Sequence, residues 1–166
     1  AVARLRRLLD LDADPVAVDE VLGADPALAP RVAAVPGIRV PGTVDGLETA
    51  VRAVLGQQVS LAAGVTATAR LAAALGTRLP PALAVDGPDL LFPTAEAIAE
   101  HGADVLAGPA RRIATVVGLA TAVADGSLVL DPGRDPAGLR AALLALPGVG
   151  PWTAGYVAMR LVGDPD

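Results

Sequence analysis

Leu143-Leu144-Ala145-Leu146-Pro147-Gly148-Val149-Gly150-Pro151-Trp152-Thr153-Ala154-Gly155-Tyr156 reads as two helices joined by a tight turn. Leu139, Ala142, Leu143 and Leu146 recur at the helical period, which gives the incoming segment one apolar face running to Leu146. Pro147 cannot continue that helix, because its ring removes a backbone donor and crowds the preceding turn. Gly148 and Gly150 are expected to take positive φ angles, and neither carries a side chain that would block an approaching anion. Pro151 then opens the next helix at its first position, where the missing N–H would be unpaired in any case. The free amides of that first turn and the positive end of the helix dipole make an anion site. An ordinary αα-turn with a glycine cap is the plainer alternative. The run Pro-Gly-Val-Gly between an apolar helix and a proline-started one instead favours a helix-hairpin-helix over residues 143–160. Its amides, at Gly148, Val149, Gly150 and Thr153, would hold the phosphates of duplex DNA and so position the duplex without reading its sequence.

Working outward, helix starts are well marked. Asp14-Pro15, Asp25-Pro26 and Asp135-Pro136 each place a capping carboxylate before a proline. Asp45-Gly46-Leu47-Glu48 has the spacing of a capping box, and Ser60 and Thr94 are further candidate caps. Apolar residues follow at helical spacing: Leu47, Val51, Val54 and Leu55, then Leu61, Val65, Thr68, Ala72 and Leu75, then Ile113, Val116, Val117 and Ala120. Strand-like alternation is nearly absent, so the expected fold is all-α, a helical bundle. The Pro/Gly-bracketed connector 36–42 divides residues 1–42 from a central part, 43–162, that carries the hairpin at 139–162; residues 163–166 begin a further part. Residues 77–93 hold four prolines, Pro80, Pro81, Pro88 and Pro93, and are expected to cross the surface without regular structure.

Composition narrows the chemistry. Apolar residues make up 53% of the 166, yet there is one Phe, one Tyr and one Trp, which favours closely packed Ala-rich helices. No apolar run approaches the ~18 residues of a membrane span. The first residues lack the pattern of a signal peptide, so a soluble, cytoplasmic chain is expected. Without cysteine there is no disulfide, thiolate metal site or iron–sulfur cluster in these residues. All 13 basic residues are arginine, which removes lysine Schiff-base chemistry. A formal charge of −5 argues against a generic basic nucleic-acid binder, so DNA contact must be local.

The hairpin quoted above resembles that of the helix-hairpin-helix DNA glycosylases, in particular the 3-methyladenine DNA glycosylase II (AlkA-like) branch. Three further stretches match the branch in the same order: Pro36-Gly37-Ile38-Arg39-Val40-Pro41-Gly42, Ala50-Val51-Arg52-Ala53-Val54-Leu55-Gly56-Gln57-Gln58-Val59-Ser60, and Phe92-Pro93-Thr94. The resemblance implies base excision repair in a bacterial cytoplasm: a monofunctional hydrolase flips an alkylated base of the 3-methyladenine type out of duplex DNA and cleaves its N-glycosidic bond. It places Trp152, Tyr156 and Gln57 at the base pocket and Gln58 where the family probes the duplex and fills the gap. Trp152 and Tyr156 lie four apart on one helix face with Met159 beneath, a spacing that also suits a plain core pair. Family members carry an apolar wedge at Gln58, so a purely hydrophobic wedge is not supported here. The carbonyls of Leu144, Leu146 and Val149 match a backbone site for a monovalent cation; no other cofactor is implied.

The resemblance also implies a catalytic aspartate a few residues beyond Gly163-Asp164-Pro165-Asp166, so none within this chain, which alone should bind without cutting. Asp164 and Asp166 read as turn formers. A small N-terminal α/β domain and C-terminal helices would lie outside the sequence, the latter packing on residues 1–42 and their lack leaving apolar surface there. The implied enzyme is a monomer acting on alkylated duplex DNA. His101, the lone histidine, reads as solvated surface, and Arg111-Arg112 as a solvated helix start or a phosphate contact. A non-enzymatic hairpin module within an alkylation-response regulator or repair assembly is the alternative function, and a bundle that binds no DNA is a third.

Overall fold

The computed structural model describes residues 2–84 and 87–164. Contacts divide the chain into two compact units, Ala1–Val44 and Asp45–Asp166.

The first unit holds α1 (Val2–Leu8), α2 (Pro15–Gly23) and α3 (Ala29–Ala34). Asp14 caps α2 as its sequence suggests, accepting from the amides of Val16 and Ala17 at 3.0 and 3.3 Å. Asp25-Pro26 does not start a helix directly. Asp25 closes a turn by accepting from Ala27 N–H at 2.7 Å, and α3 begins only at Ala29. The connector after α3 is irregular but tied down: Gly37 N–H reaches the Asp19 carboxylate at 2.7 Å, and Arg39 donates to the carbonyls of Asp10 and Ala13. None of these helices buries a side chain fully, and Val2, Val16, Val21 and Ile38 stand well exposed.

The second unit is built from α4 (Gly46–Leu55), α5 (Leu61–Leu75), α6 (Ala95–Val105), α7 (Ala110–Ala124), α8 (Pro136–Leu144) and α9 (Pro151–Val162). Helix α4 packs on α7 and α9, α8 lies on α9, and α6 joins α5 to α7. Leu71, Ile98, Leu119, Leu139, Leu143, Val51, Val54, Val116 and Val157 are fully buried between them. Ala50, Ala120, Ala154 and Ala158 are buried too, and their small side chains let the helix backbones approach closely. The expected caps form at Asp45, Ser60, Thr94 and Asp135. Asp135 accepts from Gly138 N–H at 2.7 Å. Asp135→Ala should therefore lower the unit's stability by about 1 kcal/mol, read from its denaturant midpoint; no change would mean that Pro136 alone starts α8.

Two expectations need correction. Helix α5 buries Thr68 and Leu71, while Leu61 and Val65 are exposed, so its inward face is rotated from the one expected. The segment Leu-Ala-Ala-Gly-Val-Thr-Ala-Thr-Ala is apolar nearly all round, so spacing cannot fix the face. Close approach at Gly64, where an added Cβ would meet Gly56 Cα at 3.4 Å, helps decide it. The proline-rich segment is not wholly irregular either. β1 (Thr77–Arg78) and β2 (Leu90–Leu91) pair antiparallel, Thr77 opposite Leu91, and Arg78 bridges Asp89 at 2.6 Å. Two-residue strands are too short to leave a periodic trace. Among the described residues no helix is long and apolar enough to cross a membrane.

Candidate nucleic-acid interface

Helix α8 ends at Leu144, two residues earlier than expected, because the residue before Pro147 is pushed out of the helical region. The chain then turns through Leu146 N–H to Leu143 carbonyl (3.1 Å) and Val149 N–H to Leu146 carbonyl (3.2 Å). Gly148 has φ +87°, as expected. An added Cβ there would overlap Thr115 Oγ1 and stand 3.1 Å from the Thr115 Cβ and Cγ2, so the turn is pressed against α7. Gly150 departs from expectation: its φ is −98° with ψ 173°, ordinary extended backbone, and a Cβ would meet nothing within 4 Å. Its lack of a side chain serves no need of the fold. It leaves the mouth of α9 open.

That mouth is where unpaired donors gather. The first bond of α9 runs from Ala154 N–H to Gly150 carbonyl at 3.0 Å, so the amides of Trp152 and Thr153 precede the helical ladder. Gly150 offers no side-chain cap for them. The Val149 amide is already committed to Leu146, and the Val149 side chain is buried in the core. Amides outside the helical ladder thus lie past the middle of the turn, at Trp152 and Thr153.

The side chains named from sequence divide into two groups. Trp152 and Tyr156 stack with ring centroids 5.4 Å apart and planes 11° from parallel. Trp152 is 68% exposed, which removes the plain core reading for it, while Tyr156 is half-buried. Arg160, one further turn along, lies over the Tyr156 ring at 5.3 Å, a partner not anticipated although the i, i+4, i+8 spacing was visible. Gln57 lies apart from this column in its contacts: its side-chain amide donates to Thr153 Oγ1 at 2.8 Å. Thr153 is 3% exposed over the whole residue, and its hydroxyl is taken by Gln57. Gln58 is exposed and holds φ +55°, the left-handed region that non-glycine residues rarely enter.

A cleft of about 270 Å³ runs beside Gln57 and Gln58 to Arg111, Arg112, Thr115 and Gly148, and a second of about 400 Å³ continues from Arg111 past Leu146 and Pro147. No carboxylate lines either. Arg111 is exposed at the border of both, whereas Arg112 is half-buried and donates to the Gln57 carbonyl at 2.7 Å, so it is not merely a solvated helix start. Asp164 is more than a turn former, since it pairs with Arg140 at 2.7 Å and ties the end of α9 to α8. Asp166 lies outside the described residues. His101 sits exposed within α6 beside Glu100, away from these clefts' linings. Thr115 had no sequence signal at all; only the packing of α7 on the turn reveals it.

Sequence comparison agrees with the motifs. Over its whole length the chain is 53% identical to the probable bifunctional transcriptional activator/DNA repair enzyme AlkA of Mycobacterium tuberculosis, spanning 33% of that protein. Over 96% of its length it is 37% identical to DNA-3-methyladenine glycosylase 2 of Escherichia coli, spanning 54% of it. A family model described as the AlkA N-terminal domain matches residues 1–45. Along its length the chain is thus similar to AlkA-type DNA glycosylases, and its first 45 residues match the AlkA N-terminal model. Its fold is shared with a solved structure: the 3-methyladenine DNA glycosylase from Archaeoglobus fulgidus superposes with a TM-score of 0.79 at 21% identity, over 98% of this chain and 55% of that one. The chain thus spans a third to about half of the length of the relatives it matches. The N-terminal match also means that helices α1 to α3 lie within the stretch which that family model describes.

Proposed function

We propose that this chain is the DNA-engaging part of a glycosylase that extrudes alkylated bases of the 3-methyladenine type from duplex DNA and hydrolyses their N-glycosidic bonds. The observation that carries the reading is the placement of an exposed aromatic stack directly after an open, uncapped helix mouth. Phosphate held at Gly150, Trp152 and Thr153 amides would set the duplex against α9, with Gln58 projecting beside it. N-alkylation leaves a purine cationic, hence a good leaving group and a good partner for an aromatic face.

The stack's geometry says where such a base would lie. A base sandwiched between two rings needs them roughly 7 Å apart, twice a van der Waals contact of about 3.5 Å. At 5.4 Å the Trp152 and Tyr156 rings leave no such gap. The Arg160 guanidinium over Tyr156 would moreover repel a cationic base. The exposed face of Trp152 is therefore the stacking surface, with Tyr156 supporting it. Trp152→Ala in the full-length protein should leave the fold intact and slow release of 3-methyladenine by about 10- to 100-fold, the loss of one base–aromatic stack. An unchanged release rate would remove Trp152 from the pocket.

The carboxylate that would stabilise the oxocarbenium-like sugar and orient water is expected beyond Asp166, which would leave this chain alone inactive; the parent would be a monomer and, with no lysine beside the hairpin, monofunctional. A binding-only role is the second reading, favoured by the carboxylate-free clefts; absence of any base release by the full-length protein would establish it. For a cation, the Leu144, Leu146 and Val149 carbonyls are neutral oxygen donors near one another in sequence, and the Leu146 oxygen keeps a lone pair beyond its long 3.2 Å bond to Val149. They fit a monovalent ion, which would add positive charge beside a bound phosphate.

A further inference from the structure

The tip that carries Gln58 is held from two sides, and the holding group on one side is Arg112. Residue 57 is anchored through its side chain to Thr153 on α9 at 2.8 Å and through its carbonyl to Arg112 on α7 at 2.7 Å. The Gln57 carbonyl belongs to the peptide whose plane sets φ of Gln58. A guanidinium fixing that carbonyl therefore fixes the residue after it, and Gln58 is found at φ +55° although glutamine disfavours this region. A charge-assisted hydrogen bond is strong enough to offset such local strain. Arg112 is also placed to be rigid, half-buried between the Gln58 cleft and a neighbouring apolar groove lined by Leu55, Val59 and Leu106.

We propose that Arg112 is a positioning residue for the duplex-probing tip. It presets the left-handed Gln58 so that the side chain enters the base stack without reorganising the backbone. Phosphate anchoring is the task of the α9 amides, and base extrusion depends on the α4–α5 tip; Arg112 serves the second. This rests on the reading of Gln58 as the duplex probe.

The test uses full-length protein with Arg112→Ala and Arg112→Lys. It measures equilibrium affinity for undamaged duplex, unstacking reported by 2-aminopurine placed beside the lesion, and single-turnover base release. The expected result for Arg112→Ala is a loss of about tenfold in the unstacking equilibrium and in release, with affinity for undamaged duplex changed by less than about twofold. Arg112→Lys, whose ammonium can still reach the Gln57 carbonyl, should recover part of both. Should Arg112→Ala fold poorly, Arg112→Gln, which is shorter and uncharged, carries the same comparison. Equal loss in all three measurements, or unstacking unchanged in a folded variant, overturns the proposal. Wild-type protein that neither unstacks nor releases a base overturns the functional reading itself, which keeps the two failures apart.

Discussion

Gly150→Asp should make the protein slightly more stable and almost unable to hold duplex DNA. The backbone at Gly150 already has the extended geometry of a helix N-cap, and an added Cβ would meet nothing within 4 Å. A carboxylate there would accept from the Trp152 or Thr153 amide and favour the helix dipole, stabilising α9 by about 0.5 kcal/mol. The same carboxylate would occupy the donors offered to phosphate and place a negative charge where the backbone must come. Duplex affinity should fall by about a hundredfold at moderate salt, with a shallower salt dependence. Gly150→Asn separates the two effects, since it caps without charge and should give an intermediate loss. Titration of a fluorescent duplex and a thermal melt on the same samples check both halves. Retained affinity in Gly150→Asp would mean that the hairpin mouth is not the phosphate site.

Gly148→Ala should act in the opposite sense, on the fold rather than on the open surface. Its φ of +87° is costly for any L side chain, and the new methyl would collide with Thr115. Combined backbone strain and overpacking should destabilise the unit by about 3 kcal/mol. That corresponds to a fall of roughly 10 °C in Tm. Adding Thr115→Ala removes the Oγ1 and Cγ2 contacts but not the positive φ, so the double variant should recover part of the loss relative to the sum of the singles. A neutral Gly148→Ala would show that the turn relaxes away from α7. The two glycines, alike in sequence, thus differ: packing and conformation exclude a side chain at Gly148, and neither does at Gly150.

How far each part was legible follows from the range of the interaction that made it. Capping is local, and Asp14, Asp45, Ser60, Thr94 and Asp135 all cap where their spacing to the following helix suggests. Asp25 fell short because a turn and a cap use the same Asx contact over the same two residues. Faces with strong contrast, such as Val51, Val54 and Leu55 on α4, were readable. The α5 face was not, because an Ala-rich helix presents similar surfaces in several directions and its partner chooses among them.

The hairpin shows the same division at closest range. By itself the sequence determined that a helix stops before Pro147, that another starts at Pro151, and that two glycines lie between them, since proline and glycine act on their own backbone. It also set Trp152, Tyr156 and Arg160 on one line by helical periodicity alone. Only tertiary structure decided which glycine bears the positive φ, that the Val149 amide is spent within the turn, and that Gln57 reaches Thr153. Those outcomes depend on α7 and the segment after α4 arriving beside the turn, with Thr115 lying 33 positions before Gly148 and Gln57 96 before Thr153. Contacts across such separations leave no spacing to read, because the groups that make them become neighbours only when the helices pack.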